Sequence, residues 1–363
     1  MASTNNTRQN AITAFLEKQS WANAHREALT ADASSRTYER LTQAGKRALL
    51  MNAPPNAESS FCPPDADEKE RKALGYNAEA RLAGPNLHAF AQVAATLRGA
   101  GLSAPEIYAY DPDLGVALIE DLGDNLFVAA VQEGIGETLL YENAVDVLIA
   151  LRGADPSPPD TADYKMMAYD ETALLAEVAL VTDWYWPFIK GSPAPEEEKQ
   201  AFQALWKDIL KTLEAPKAIV LRDFHAENLL WLPERDGVRK VGLIDFQDGL
   251  IGSYAYDLVS ILEDARRDVS QDLAEAMVNR YCDRARNFPG FTESQMRREF
   301  AIMGAQRNAK ILGIFARLIN RDGKPRYGDF LPRVEAHFRR NLHHEALQDV
   351  KAFFAKHFPD LAL

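Results

Sequence analysis

Apolar residues recur along this chain with two different periods, and the change of period divides it. Residues 7–30 set Ile12, Phe15, Leu16, Trp21 and Ala22 among polar positions and predict a helix. From 36 to 41 the pattern alternates weakly, and 47–52 is apolar until Pro54-Pro55 stops it; with Ala44-Gly45 between them, the two runs predict a β-hairpin. Residues 56–85 are polar, carry Pro63-Pro64 and a charge run at 65–72, and predict a solvated loop with a short helix. The helical period returns at 86–101, where Leu87, Phe90, Val93, Ala94 and Leu97 make one face and Gly99 and Gly101 end it. Strands follow at 107–110 and 116–120 around the turn Asp111-Pro112-Asp113. Beyond 137 the chain is predominantly helical in pattern: 139–153, 170–186, 195–213, 257–267, 293–298, 304–318 and a final pair at 332–347 and 347–358. The acids Glu196, Glu197 and Glu198 suit the positive end of the helix they begin. The expected class is α+β and bilobal: a small antiparallel sheet with a packed helix in residues 1–123, and a larger, mostly helical lobe in 124–363. No internal repeat interrupts this plan.

One stretch departs from it. Residues 221–249 hold two apolar runs, 228–232 and 238–246, joined by the turn-forming Asp236-Gly237, a second hairpin. It is flanked by groups that an ordinary hairpin does not need. Asp223 precedes it, Asn228 follows five residues later, and Asp245 closes the second run. An acid, an amide five residues further on, a hairpin and a strand ending in an acid make up the layout of a phosphoryl-transfer loop and its metal-binding carboxylate. Asp223 has the chemistry to orient an acceptor hydroxyl and take its proton. Asn228 and Asp245 offer the oxygen ligands that Mg²⁺ prefers. The bland alternative is a set of turn hydrogen bonds, a frequent role for Asp and Asn; the hairpin and terminal Asp245 in register favour the chemical reading.

Composition narrows the class further. The 363 residues are 47% hydrophobic and 26% charged, suited to a globular protein of two lobes. No apolar run approaches the roughly 20 residues of a membrane span, and the N-terminal residues lack a secretory layout. Cys62 and Cys282 make neither a disulfide framework nor a metal set, so a reduced, cytoplasmic location is expected. A net charge of −12 argues against a nucleic-acid partner. A monomer is expected.

The motifs carry a family resemblance. LRDFHAEN, residues 221–228, resembles the catalytic loop of the aminoglycoside phosphotransferase and choline-kinase-like superfamily, with Leu221 where the first histidine of that loop usually stands. ALIEDLGD at 117–124 resembles the hinge of the family, IDFQDG at 244–249 its metal-binding motif, and Tyr256-Asp257-Leu258 the segment whose Asp braces the catalytic loop. The likeness covers residues 30–345. It implies a protein-kinase-like fold using ATP and Mg²⁺, with Asp223 catalytic and Asn228 and Asp245 on the metal. A narrower resemblance, carried by 49–55, 169–187, 221–232 and 305–327, is to the cell-wall recycling kinases that phosphorylate N-acetylmuramate and N-acetylglucosamine at the anomeric hydroxyl. That implies an amino-sugar substrate. The alternatives are an aminoglycoside kinase, a kinase for choline or another small alcohol, and a nucleotide-binding module without turnover.

Within that frame the nucleotide-contact candidates are Ser34, Ser35 and Arg36, in a loop of hydroxyls and a guanidinium in place of glycines. Asn52 stands near the position of the kinase lysine, which is missing, and helix 86–100 offers no partner glutamate. Arg36, Lys46 or Arg47 is expected to supply the lost charge. Glu120 and Leu122 lie on the connector, where backbone groups can meet an adenine edge. The substrate candidates are His225, Asp248, Glu177, Trp184, Arg307 and Lys310. Each has a plainer reading. His225 fixes its loop, Asp248 is an exposed turn acid, and Trp184 and Tyr185 belong to the core. Arg307, Lys310 and Arg317 form either a solvated stripe or a cationic face for the lactyl carboxylate or the phosphates. Glu177, within LLAEVAL, is expected to face solvent or a sugar hydroxyl, because burying it unpaired is costly.

Overall fold

In the computed structural model residues 2–29, 36–54, 60–84, 86–157, 163–214 and 218–362 are described. The phosphate-loop candidates Ser34 and Ser35 lie outside them. Backbone contacts divide the chain into two units: Met1–Asn125 with Ser157–Met166 and Leu230–Asp248, and Leu126–Pro156 with Met167–Leu229 and Gly249–Leu363. The first division falls two residues beyond the expected one. The strands of the second hairpin sit in the first unit, not with the C-terminal part as expected.

The first unit is built on an antiparallel sheet in the order β1-β2-β3-β5-β4, from β1 (His25–Ala28), β2 (Thr37–Gln43), β3 (Lys46–Asn52), β4 (Ile107–Asp111) and β5 (Val116–Ile119). Ala44 and Gly45 both take positive φ, 50° and 77°, and pair Gln43 with Lys46 across a two-residue turn. The N-terminal helix is shorter than predicted, Ala2–Lys18, and the chain then enters β1, an edge strand of four residues too short to show a period. Ile12, Phe15 and Leu16 from that helix bury against Leu41, Ala48, Leu50, Val116 and Leu118 of the sheet. Residues 60–84 are less solvated than expected. Asp67 and Glu70 form a reciprocal cap on the helix Glu68–Leu74. The π-helix Asn77–Arg81 that follows buries Asn77, Ala78 and Ala80.

Short strands β6 (Ala218–Val220), β7 (Leu229–Trp231), β8 (Val241–Leu243) and β9 (Leu250–Gly252) form two pairs, β6 with β9 and β7 with β8. The hairpin β7–β8 turns through a 3-10 helix at Gly237–Lys240, so each strand is shorter than its apolar run. Gly242 is needed there: a Cβ would lie 3.0 Å from Leu230 and 3.1 Å from Leu232.

The second unit is mainly helical. Its longest element, Glu293–Asn320, is one continuous helix where two were predicted. Gly313 lets it press on the chain at Leu180; a Cβ at that position would come within 2.5 Å of the Leu180 carbonyl. At Leu180 the helix Glu171–Leu180 passes into the π-helix Val181–Tyr185. The helix Gln271–Ala285, capped by Ser270, was not predicted. None of the helices among the described residues is long and apolar enough to cross a membrane.

Candidate active site

The loop 221–228 leaves β6 and closes on itself. The Asp223 carbonyl accepts from the His225 amide at 3.1 Å and from Asn228 Nδ2 at 3.0 Å, and the Asn228 amide donates to the His225 carbonyl at 2.8 Å. To enter this turn, Arg222 takes φ 71°, a left-handed conformation that costs a non-glycine residue about 1–3 kcal/mol. The surroundings over-determine it. Asp257, at the start of the helix Tyr256–Leu262, accepts from the Leu221 amide at 2.6 Å and from the Arg222 amide at 2.9 Å. The resemblance anticipated this brace.

Asp223 itself is half-buried. Burial pushes its carboxyl up, but Lys310, His225, Arg222 and Arg307 more than offset that, and the net displacement is down. It is ionised at neutral pH. His225 is buried, and its Nε2 lies 3.3 Å from Asn228 Nδ2 and 3.4 Å from Arg266 Nη1. Two donors on Nε2 place the proton on Nδ1. Burial depresses the ring to about 4, opposed by Asp264 and Asp223 and reinforced by Arg266 and Arg307. It is a neutral, loop-fixing histidine at physiological pH.

The tie from Asn228 Nδ2 to the Asp223 carbonyl orients the amide. In the first unit Asp245 is exposed two residues past β8, also at positive φ, 57°, and its Oδ1 accepts from Gln247 Nε2 at 2.8 Å. A carboxylate held out in a strained turn beside an apolar strand suits a hard cation. No cluster of three or more His, Cys, Asp or Glu able to hold a metal occurs among the described residues.

Arg36 is buried, 3.7 Å from Asp245, and donates to the Gly84 carbonyl at 3.5 Å. Of the three cations weighed as substitutes for the missing lysine, Arg36 is the one paired with Asp245 among the described residues. Arg47 pairs with Asp121 at 2.6 Å, and Lys46 is exposed at the hairpin turn. Asp248 is not an exposed turn acid; it is buried and ion-paired with Arg81 at 2.9 Å. Asn52 accepts from Arg8 Nη2 at 2.5 Å, so an arginine from the first helix stands at the end of β3. Glu120 is held by Arg235 at 2.6 Å, and Leu122 packs over Gly242. Both side chains are structural here, and the connector's backbone remains the part able to meet a base.

In the second unit Glu177 overturns its expectation. It is wholly buried, and its oxygens accept from Tyr169, Arg222, Lys310 (2.7 Å) and Gln306 (2.9 Å). The sequence shows no partner that would offset the cost of burial; the fold supplies four. The stripe reading of the long helix fails likewise, since Arg307 is buried and Lys310 half-buried, and the charge of both lowers the Asp223 carboxyl. Trp184 is half-buried with the Arg321 guanidinium 5.8 Å over its ring, apart from this cluster. Arg81, Arg222, Tyr169 and Gln306 were missed. A lone arginine inside the apolar run ending in Arg222-Asp223 was the available signal.

Residues 25–297 match the model of the phosphotransferase enzyme family. The chain is 40% identical to the N-acetylmuramate/N-acetylglucosamine kinase of Caulobacter vibrioides, covering 97% of both chains. It is 31% identical to the protein of that name in Pseudomonas aeruginosa, over 84% of this chain and 80% of that one. Among solved structures, a choline/ethanolamine kinase family protein from Mesorhizobium loti superposes with a TM-score of 0.58 at 15% identity, covering 96% and 98%. The ADP-bound aminoglycoside phosphotransferase APH(2'')-Ib does so with a TM-score of 0.54 at 13% identity, covering 90% and 98%. At such identities these two show the fold, a protein-kinase-like one.

Proposed function

We propose that this chain, which belongs to the phosphotransferase enzyme family, is an ATP-dependent kinase of N-acetylmuramate and N-acetylglucosamine. The observation that carries the chemistry is the Asp223 loop: an ionised, half-buried carboxylate in a self-closed turn, with the turn braced from the next helix. In this reading Asp223 orients the anomeric hydroxyl of the sugar and takes its proton as the bond to phosphorus forms. Asn228 and Asp245 are the proposed oxygen ligands of Mg²⁺, which when bound neutralises charge on the phosphates. Arg36 adds a fixed cation near Asp245, in the role that a lysine has in protein kinases. Lys310 and Arg307 surround Asp223 with positive charge. That suits an acceptor that is neutral or, like N-acetylmuramate, a carboxylate, and it disfavours a polycationic aminoglycoside. The sugar's place in cell-wall recycling is part of the same proposal.

The test is ADP release with Mg·ATP across N-acetylmuramate, N-acetylglucosamine, kanamycin, choline and no acceptor, for the wild type and Asp223→Asn. Release with the amino sugars, falling by orders of magnitude in Asp223→Asn while ATP binding persists, is expected. Release only with kanamycin or choline refutes the substrate. Near-normal turnover in the variant refutes the role of Asp223.

A further inference from the structure

The residue before Asp223 is held twice. Its backbone amide is held by Asp257, as described, and its side chain by Glu177. Arg222 and Glu177 are almost completely excluded from solvent, 3% and 0% exposed. The Tyr169 ring lies under the guanidinium at 4.8 Å and also donates its hydroxyl to Glu177. Lys310 reaches the same carboxylate from the long helix and comes within 3.5 Å of the Tyr256 hydroxyl, next to the bracing Asp257. One buried carboxylate thus gathers the cation that precedes the catalytic aspartate in the chain and a cation that flanks it in space. Replacing such a group by apolar packing commonly leaves a protein no less stable, so stability alone does not account for this arrangement. The geometry of the loop does, because a left-handed arginine fixed at both its backbone and its guanidinium has no freedom to rotate Asp223 away.

We propose that Glu177 is a positioning residue for phosphoryl transfer, clamping the Asp223 turn through Arg222 and fixing Lys310 beside it. The proposal rests on the assignment of Asp223 as the acceptor-orienting group. Glu177 touches no substrate and acts only through these two cations. Its loss is felt in turnover more than in nucleotide affinity.

Steady-state kinetics with N-acetylmuramate and Mg·ATP test it in Glu177→Gln, Arg222→Met, Arg222→Lys and the Glu177→Gln/Arg222→Met double variant, with Asp223→Asn as reference. Glu177→Gln is expected to lower kcat about 10- to 100-fold, the scale of a small misplacement of a reacting group. KM for ATP should stay within about twofold. The double variant should lose no more than the worse single, because both break one contact, and Arg222→Lys should recover part of what Arg222→Met loses. Should Glu177→Gln not fold, as judged by circular dichroism, Lys310→Met decides in its place: it is expected to give the same loss of kcat at unchanged KM for ATP. Near-normal kcat in a folded Glu177→Gln, or losses that multiply in the double variant, would overturn the clamp while Asp223→Asn stays inactive. Turnover retained in Asp223→Asn would overturn the underlying assignment instead.

Discussion

Asp257→Ala is expected to loosen the catalytic loop at a measurable cost. The carboxylate accepts from the amides of Leu221 and Arg222 at 2.6 and 2.9 Å, and Leu221, Arg222 and Asp257 are all buried. Alanine leaves two buried N–H groups without an acceptor, at about 1–3 kcal/mol each. The expected loss is about 4 kcal/mol, a large share of the roughly 5–15 kcal/mol that stabilise a typical domain. Asp257→Asn keeps an acceptor oxygen and should cost less than Ala. Burial raises the Asp257 carboxyl to about 7, against the two amide bonds that lower it. A carboxyl raised in the fold above its ordinary 3.8 binds protons more tightly there than in the unfolded chain. Its contribution is therefore fully present below that ordinary value and is lost as pH rises through about 7. The stability gap between wild type and Asp257→Asn should accordingly narrow from pH 5 to pH 8. Urea denaturation at pH 5, 6.5 and 8, paired with kcat at pH 8, measures both effects. If Asp257→Ala stays within about 1 kcal/mol of wild type, or the Asn gap widens with pH, the bracing argument is wrong.

Two further outcomes follow from the same geometry. Arg36→Met should raise KM for ATP about tenfold, equivalent to about 1.4 kcal/mol, with little change in melting temperature; an unchanged KM would remove Arg36 from the phosphate site. His337, buried and flanked by Arg340, Arg307 and Arg333, is depressed by burial first and by these cations next, from 6.5 to about 4. A histidine lowered in the fold contributes stability that is present above its ordinary value and lost as pH falls toward 4, here about 2 kcal/mol by pH 5. His337→Gln should flatten the acid limb of a stability profile read by urea denaturation between pH 7.5 and 5, and an unaltered limb would show that the ring is not desolvated as described.

Much of the fold was legible because local sequence is what decides it. The helix face Leu87, Phe90, Val93, Ala94 and Leu97 is buried as its period requires, and Ala44-Gly45 turns where its left-handed pair must. The strand His25–Ala28 and the short pair β6–β9 were not legible, because three or four residues show no period and their pairing is a choice of partner. The single helix Glu293–Asn320 was read as two with a break at 299–303, but the helix runs through that stretch and buries Glu299, Ala301, Ile302 and Met303.

The sequence by itself carried the expectation of the chemistry: the order and spacing of Asp223, Asn228 and Asp245 around a hairpin match the parts of a phosphoryl-transfer loop, since neighbours in a loop are placed by the backbone that joins them. Tertiary structure alone decided the state of those parts. That Asp223 is ionised, that Arg222 is bent left-handed and held, and that Glu177 is buried among cations depend on groups far apart in the chain, 35 positions for Arg222 and Asp257 and 129 for Glu177 and Gln306. Charges act through space at a range of a few ångströms, and a linear pattern does not show which carboxylate a folded chain will bury beside which cation.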